Sequence, residues 1–183
     1  MMISGKYNRD YRLETFLDEK GKMRTKAVYC GDNYFYKNPE KNTEQSRRLV
    51  GIISILTWII WFFALVTDSS VFRKFYVVMP YVFIPIPLYY LCCGSLKIWL
   101  KKEPFTHEQA DHINNRLPGG AMVTVILSGI SLIGVVVKVI LDGTGKGDIL
   151  FVLIVILLVA VCLFLYQRSK ILATAVKKQD NME

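Results

Sequence analysis

The two histidines of the chain, His107 and His112, stand close together in the stretch HEQADH, a composition that suggests metal binding or acid–base chemistry. A zinc-protease helix places two histidines four residues apart on one face, with a glutamate beside the first. Here they are five residues apart, which on a helix turns the side chains about 140° away from each other. The pairs that do share a face are His107 with Asp111 and Glu108 with His112. The stretch is therefore better explained as a solvated amphipathic helix than as a metal site.

Cysteines are the other reactive side chains. They are Cys30, Cys92, Cys93 and Cys162. Adjacent cysteines do not share a helix face, and their spacing is not that of zinc ligands. A reducing cytoplasm would keep them free of disulfides, and in a eukaryotic host those next to a membrane are candidates for palmitoylation. We interpret them mainly as small apolar packing residues.

No other catalytic pattern emerges from the sequence. The stretch DGTGKGD has glycines and one lysine but lacks the spacing of a phosphate-binding loop. Paired carboxylates are missing from the apolar runs, and no serine–histidine–acid set is apparent. The sequence therefore gives no cofactor and favours a non-catalytic protein.

Hydrophobic patterning predicts the fold class. Apolar residues make up 52% of the chain, and the 21% that are charged gather in the tails and one loop. Apolar runs occupy 49–66, 75–96, 121–141 and 149–166, each about the 17–25 residues that a helix needs to cross a membrane. Uninterrupted apolar runs differ from the alternating strands of a barrel, and helices satisfy their own backbone groups in lipid. We predict an all-α integral membrane protein with four transmembrane helices.

The positive charges predict the orientation. The tail 1–48 holds eleven Lys and Arg, the loop 97–120 holds four and the tail 167–183 holds four, whereas the two short connections together hold three. Positive residues collect on the cytoplasmic side, so both termini and the middle loop are expected in the cytoplasm, with the spans in a bacterial cytoplasmic membrane or its equivalent. Short outer connections predict two helix hairpins packed as a four-helix bundle. This topology and anionic lipids account for the net charge of +8 without nucleic acid.

The N-terminal tail carries strand patterns. YRLETFL, MRTKAVYC and YFYK are typical of strands, and DEKGK and GDN are typical of the turns between them. Such a β-meander is too short to bury a core, so its aromatic face must lie on headgroups, on the middle loop or on another protein. The candidate partner-docking residues are Tyr11, Tyr29, Tyr34 and Tyr36.

The middle loop predicts a short helix. Thr106 precedes Gln109 by three residues, the spacing of a capping box that starts a helix at His107. Pro118, Gly119 and Gly120 are expected to end that helix after Leu117.

Basic and aromatic residues flank the apolar runs as expected of membrane-interface anchors. They are Arg47, Arg48, Trp99, Lys101, Lys102, Lys138 and Arg168. Lys138 is the only charge within a run, about one turn from its outer end, so its ammonium is expected to snorkel to the outer interface. The acidic residues nearest to it in the outer connections are Asp68, Asp142 and Asp148.

Small residues form a stripe along the third run, and small residues allow helices to approach closely. The stripe comprises Ala121, Thr124, Ser128 and Ser131. We interpret it as a helix-packing seam that serves either the bundle or a homodimer.

The second run contains three prolines, Pro80, Pro85 and Pro87, each of which removes a backbone donor. We predict a kink near Ile84, packed against the seam. The carbonyls freed near mid-depth need protein donors or a trapped water, and the hydroxyls of Thr57 and of the seam are the candidates.

These features favour an accessory or scaffold subunit that contacts membrane lipid and docks a protein partner through its cytoplasmic tail and loop. One alternative is a small transporter or channel, built as a homo-oligomer around the proline-kinked second span. The other is an enzyme at the cytoplasmic interface that uses His107 and His112, which would need them near Cys30 or Cys92.

Overall fold

The structure is a computed structural model that describes residues 5–17, 23–38, 40, 44–101 and 103–176. It is mostly helical, with small sheets, and four of its helical segments are long and apolar enough to cross a membrane. The α-helices are α1 Glu44–Val66, α2 Phe75–Val82, α3 Pro85–Leu100, α4 His107–Asp111, α5 Leu117–Asp142 and α6 Asp148–Ile171. Short 3₁₀ helices at Gly5–Asp10 and Ser70–Arg73 and a π-helical turn at His112–Arg116 complete the helical structure of these residues.

The long helices pack in a ring. Helix α1 contacts α3 and α6, and α5 contacts α2, α3 and α6. Hydroxyl side chains face inwards, as at Ser54, Thr57 and Thr124, while large apolar side chains such as Phe62 and Ile140 are exposed on the outside. This distribution reverses that of a water-soluble bundle, whose outward surface is polar.

The capping box predicted at the start of the middle-loop helix is present. The Gln109 backbone N–H donates to Thr106 Oγ1 over 3.4 Å, and the Thr106 N–H donates to Gln109 Oε1 over 3.3 Å. Both side-chain oxygens accept from backbone N–H groups that a helix start would otherwise leave unpaired.

The predicted end of that helix at Pro118 is wrong. The helical chain runs without a break from His107 to Asp142. A π-helical turn precedes the proline, with the Leu117 N–H bonded to the carbonyl of His112, and this wider turn leads into a new helical segment with Pro118 in its first turn, where no N–H is needed. Gly120 lies where α5 meets α3, so glycine here permits close packing instead of ending the helix.

The proline-rich second segment breaks near Ile84, as predicted. Helix α2 ends at Val82, and α3 begins at Pro85. The Ile84 N–H donates to the Tyr81 carbonyl over 3.2 Å and the Ile86 N–H to the Phe83 carbonyl over 3.2 Å. Shorter-range bonds thus satisfy two of the carbonyls that Pro85 and Pro87 leave without their usual donors.

The strands differ from the predicted meander. Strand β1 (Tyr11–Leu17) and β2 (Met23–Tyr29) form an antiparallel hairpin, in which Leu13 pairs with Ala27. Strand β3 (Tyr34–Tyr36) instead pairs antiparallel with β4 (Thr174–Val176), a strand from the C-terminal segment that was expected to be only a tail. The terminal segments therefore meet in one sheet, a pairing between distant parts of the chain that local patterning does not signal.

Candidate functional site

Residues 5–17, 23–38, 103–116 and 172–176 pack together at one end of the bundle, and we call this unit the cap. Tyr7 and Phe105 lie at its centre, with 1% and 0% of their surface exposed. The Tyr7 hydroxyl donates to Asp111 Oδ2 over 2.7 Å. The N-terminal segment is thereby fixed to the middle loop.

His107 is the point where most of the tail tyrosines meet the middle loop. The Tyr34 ring stacks on its imidazole at 5.6 Å between centroids, and the Tyr7 ring meets it edge-on at 5.4 Å. The His107 backbone N–H donates to the Tyr29 hydroxyl over 2.9 Å, and its Nδ1 lies 3.0 Å from Asp10 Oδ2. Such contacts hold this histidine as a structural member of the cap.

Tyr29 serves as both acceptor and donor in this cluster. While its hydroxyl accepts from His107, it donates to the Asp32 carbonyl over 2.7 Å. Burial, more than any other influence, raises the pKa of Tyr29 above its usual value, and burial likewise raises the pKa of Tyr34. Both phenols are therefore neutral at physiological pH, as the paired donor and acceptor role of Tyr29 requires.

Strand β3 lies between two other segments of the chain. On one side, the Tyr34 and Phe105 backbones exchange hydrogen bonds of 3.0 and 2.9 Å. The Tyr36 N–H donates to Glu103 Oε1 over 2.9 Å, and the Tyr36 ring meets Phe105 edge-on. On the other side β3 pairs with β4, so both of its edges are occupied.

Asn114 fixes the C-terminal strand. Its side-chain carbonyl accepts from the Thr174 N–H over 2.8 Å and from the Thr174 hydroxyl over 3.3 Å. Its side-chain amide donates to the Thr174 carbonyl over 2.9 Å. One asparagine side chain therefore bonds both the N–H and the carbonyl of a strand residue, an arrangement that the sequence analysis missed because it has no local signature.

The β1–β2 hairpin extends from the cap with one apolar face exposed. Leu13 is 72% exposed and Met23 82% exposed, and both lie on the face that carries Thr15 and Thr25. The opposite face carries charges, with Glu14 paired to Lys26. Leu13 and Met23 are the two most exposed large apolar side chains among the described residues of the cap.

The four tyrosines proposed for docking lie within or beside the cap. Tyr29, Tyr34 and Tyr36 contact the middle loop, and Tyr11 packs edge-on against Tyr29 at 5.3 Å. These rings therefore anchor the base of the hairpin. The aliphatic residues exposed on the neighbouring hairpin face, such as Leu13 and Met23, were not among the candidates from the sequence.

Within the described residues, His112 and Cys30 lie in different surroundings. His112 is buried, 3.9 Å from Glu108, and Cys30 donates weakly to the Val28 carbonyl. In the part of the chain that the structure describes, no three His, Cys, Asp or Glu side chains group to hold a metal.

The space beside the broken second segment is filled by aromatic side chains. The Tyr81 hydroxyl donates to the Trp61 carbonyl over 2.8 Å, and the Trp61 indole N–H donates to the Tyr81 carbonyl over 3.3 Å. Their rings stack, and Phe151 contacts Tyr81 from another side. An indole is therefore a second donor to the Tyr81 carbonyl, beside the Ile84 N–H, whereas the sequence analysis named hydroxyls as the candidate donors.

The small-residue stripe of α5 faces the bundle interior, and Ala121, Thr124, Ser128 and Ser131 are all fully buried. Thr124 donates to its own helix at Gly120, whereas Ser131 donates across to the Val77 carbonyl of α2 over 3.2 Å. Thr57 donates to Ser54 within α1.

The residues predicted as membrane-interface anchors lie in different surroundings. Arg48 pairs with Glu44 over 2.7 Å on the surface, and Arg47 is half-buried one residue earlier. Trp99 lies against Gly51, Lys101 is exposed, and Arg168 stacks over the Phe164 ring at 5.2 Å. Lys102 lies outside the described residues.

Lys138 differs from the snorkelling geometry expected of it. Its ammonium is 2.6 Å from Asp148 Oδ2 and donates to the Gly143 carbonyl over 2.9 Å, and both side chains of the pair are almost fully buried. Ser69, Ser70 and the Gly145 N–H also donate to Asp148. This cluster, which we call the turn lock, joins both connections at the end of the bundle opposite the cap.

An exposed ion pair accompanies the turn lock at the same end. Lys74 Nζ lies 2.6 Å from Asp142 Oδ2, and this hydrogen-bonded carboxylate raises the pKa of Lys74.

No protein-family model, no curated protein and no solved structure matches the chain, so its function has to be inferred from the geometry described above.

Proposed function

We propose that the chain is a multi-pass integral membrane protein of two helix hairpins, with its cap in the cytoplasm. We further propose that it is a non-catalytic accessory subunit, which holds a partner protein at the membrane through the exposed face of the β1–β2 hairpin. Membrane insertion is supported by the apolar outer surface of the four long helices. The orientation is supported by the Lys and Arg that gather at the cap end.

The observation that carries the docking proposal is the exposed hairpin. A two-stranded hairpin is marginally stable in water, and exposed apolar residues such as Leu13 and Met23 gain by being covered. In the described residues β1 and β2 pair only with each other. Their outer edges therefore also offer backbone groups to an added strand. A partner that lays an apolar, extended segment against the hairpin would satisfy both needs.

The base of the hairpin favours docking because it is held rigidly. The Cys30 N–H donates to the Asp10 carbonyl over 2.8 Å, and Tyr11 packs on Tyr29. Preorganisation of this kind lowers the entropic cost of binding. The hairpin therefore presents its apolar face in a fixed direction relative to the bundle.

Orientation is tested with a membrane-impermeant maleimide on intact cells. Cys30 is exposed in the cap, so it should react only after the membrane is opened. A Lys146→Cys variant that also carries Cys30→Ser places a thiol in the opposite connection, which should react at once. Labelling of Cys30 in intact cells would contradict the proposed orientation.

Docking is tested with a photo-crosslinking amino acid in the full-length protein in its native membrane. Placed at Leu13, it should give one discrete adduct with another protein. Placed at Glu14, the next residue of β1 on the opposite face, it is a matched control that should give little of that adduct. Equal adducts from both positions, or none from Leu13, would overturn docking through this face.

The interior hydroxyls give the transporter alternative little support, since in the described part of the bundle only those of Ser95 and Ser128 are buried without a hydrogen-bond partner. The hydroxyls of Ser54, Thr57 and Thr124 donate to carbonyls of their own helices, so they are satisfied without lining an open path. We therefore propose no second function.

A further inference from the structure

A groove opens on the outer surface of the bundle, between α3 and α5 and next to the cap. Its volume is about 510 Å³. Apolar side chains and glycine backbone line it, and Arg116 lies at its cap end. The lining includes Ile86, Pro87, Tyr90, Gly120 and Val123.

Glycines create the depth of this groove. A Cβ added at Gly120 would lie 2.6 Å from the Pro87 carbonyl oxygen, so α5 approaches α3 more closely than a larger residue allows. At the neighbouring Gly119 an added Cβ would meet nothing within 4 Å. The α5 backbone at Gly120 therefore forms the floor of the groove, and the space beside Gly119 is open.

Arg116 places a charge at the mouth of the apolar groove. Its guanidinium lies over the Tyr90 ring at 5.9 Å, and its Nε is 3.8 Å from Asp111 Oδ2. Asp111 also accepts from Tyr7 and from Asn115, both at 2.7 Å. Within the described residues, the Arg116 guanidinium donates no hydrogen bond at normal distance, so its planar fork is available to an outside acceptor.

The groove is long enough for the upper half of one acyl chain, with the phosphate at the end where Arg116 lies. Arg116 and Val123 are seven residues apart on the helical chain, which corresponds to about 10 Å along its axis. The groove thus runs from the charged boundary into the apolar part of the bundle. A guanidinium binds phosphate oxygens in bidentate fashion, and basic residues at the ends of spanning helices favour anionic lipid headgroups.

We propose that this groove is a binding site for one anionic phospholipid. The phosphate accepts hydrogen bonds from Arg116, and an acyl chain lies over Pro87, Gly119 and Gly120. A zwitterionic lipid binds less well because its quaternary ammonium would stand close to Arg116. The site rests on the proposed membrane insertion, but not on docking through the hairpin.

The test is native mass spectrometry of the full-length protein in mild detergent, with phosphatidylglycerol or phosphatidylcholine added at equal concentration. The wild-type protein is expected to retain phosphatidylglycerol roughly fivefold better, the factor typical of one basic residue at a membrane surface. Arg116→Gln should remove most of this preference, and Arg116→Lys should keep part of it. Lys170→Gln, which removes an exposed charge from α6 at the same end of the bundle, should leave the preference unchanged.

The groove itself is tested by filling it. Gly119→Leu should lower retention of both lipids, since leucine enters open space. Gly129→Leu is the matched control on the same helix, where an added Cβ also meets nothing within 4 Å, and it should retain lipid as the wild type does. Near-ultraviolet circular dichroism of each variant checks that the bundle is folded.

Two outcomes overturn the proposal. Equal retention of the two lipids by the wild type would show that the site does not select an anionic headgroup. Full retention by folded Gly119→Leu would show that lipid does not bind in the groove. Neither outcome concerns the hairpin, and extraction of the protein from membranes by alkaline carbonate separately reports a failure of membrane insertion.

Discussion

Asp148 accepts hydrogen bonds from several groups at the end of the bundle, although the sequence pointed to it only as an acidic residue near Lys138. Lys138, two serine hydroxyls and one backbone N–H all point at its carboxylate. A buried ion pair gives little net stability compared with an apolar replacement, but removal of one partner leaves the other charge buried and unpaired. The turn lock therefore matters most for keeping the two connections in one arrangement.

Asp148→Asn is expected to destabilise the fold by about 3–5 kcal/mol, because it leaves the Lys138 ammonium buried without its counter-charge. The measurement is the thermal unfolding midpoint of the purified protein in detergent. Lys138→Met with Asp148→Asn should recover much of the loss. Lys74→Met, which breaks the exposed pair with Asp142, should change the midpoint little. Equal losses from the buried and exposed pairs would show that burial does not set the cost.

At the scale of elements, the crossing of α3 and α5 is governed by glycine and proline. Pro85 and Pro87 lie in the first turn of α3. Beside the break that precedes them, two hydrogen bonds between Trp61 and Tyr81 join α1 to α2. Gly120 of α5, two residues after Pro118, then lets the two helices approach. Residues that usually interrupt helices here decide how two helices pack.

Two neighbouring glycines should respond in opposite ways to alanine. Gly120→Ala drives a Cβ against the Pro87 carbonyl, a backbone atom that gives way only if the helix moves, so the unfolding midpoint should fall. Gly119→Ala meets open space and should be neutral or stabilising by roughly 0.5–1 kcal/mol, since alanine favours a helix. If the two variants unfold at the same temperature, the close approach at Gly120 is not what limits packing.

On the scale of the whole molecule, the cap joins three segments that are far apart in sequence. Strand β3 comes from the N-terminal segment, Phe105 from the middle loop and β4 from the C-terminal segment. Each alone is too short to fold stably. Their pairing fixes β3 at the end of the bundle, and the bond between Tyr29 and His107 attaches the hairpin there, as the proposed docking function requires.

Asn114→Ala should release β4 while leaving the bundle folded, because three hydrogen bonds to Thr174 are lost at one residue. Hydrogen–deuterium exchange should rise at Phe35 and Ala175, and the exchange of α6 should stay unchanged. Asn115→Ala is the matched control, since among the described residues its amide donates to Asp111 of the same loop. Unchanged exchange in the Asn114 variant would mean that the strand pairing needs no help from this side chain.

Local patterns carried the predictions that the structure confirms. The four long apolar helical segments, the capping box at Thr106 and the break near Ile84 each depend on residues within about one helix length of each other. Secondary structure of this kind follows from hydrophobic runs, side-chain caps and missing N–H groups. The sequence by itself therefore determined which segments are helical and where the second one bends.

Partners across the fold were decided only by tertiary structure. Lys138 could snorkel or pair, and its choice of Asp148 depends on how the connections fold over the bundle. Strand β3 had the same local pattern whether it continued a meander or paired with β4. Pro118 and the glycines after it could end a helix or pack one. In each case the residue types allow two arrangements of similar local energy, and contacts with distant segments select between them.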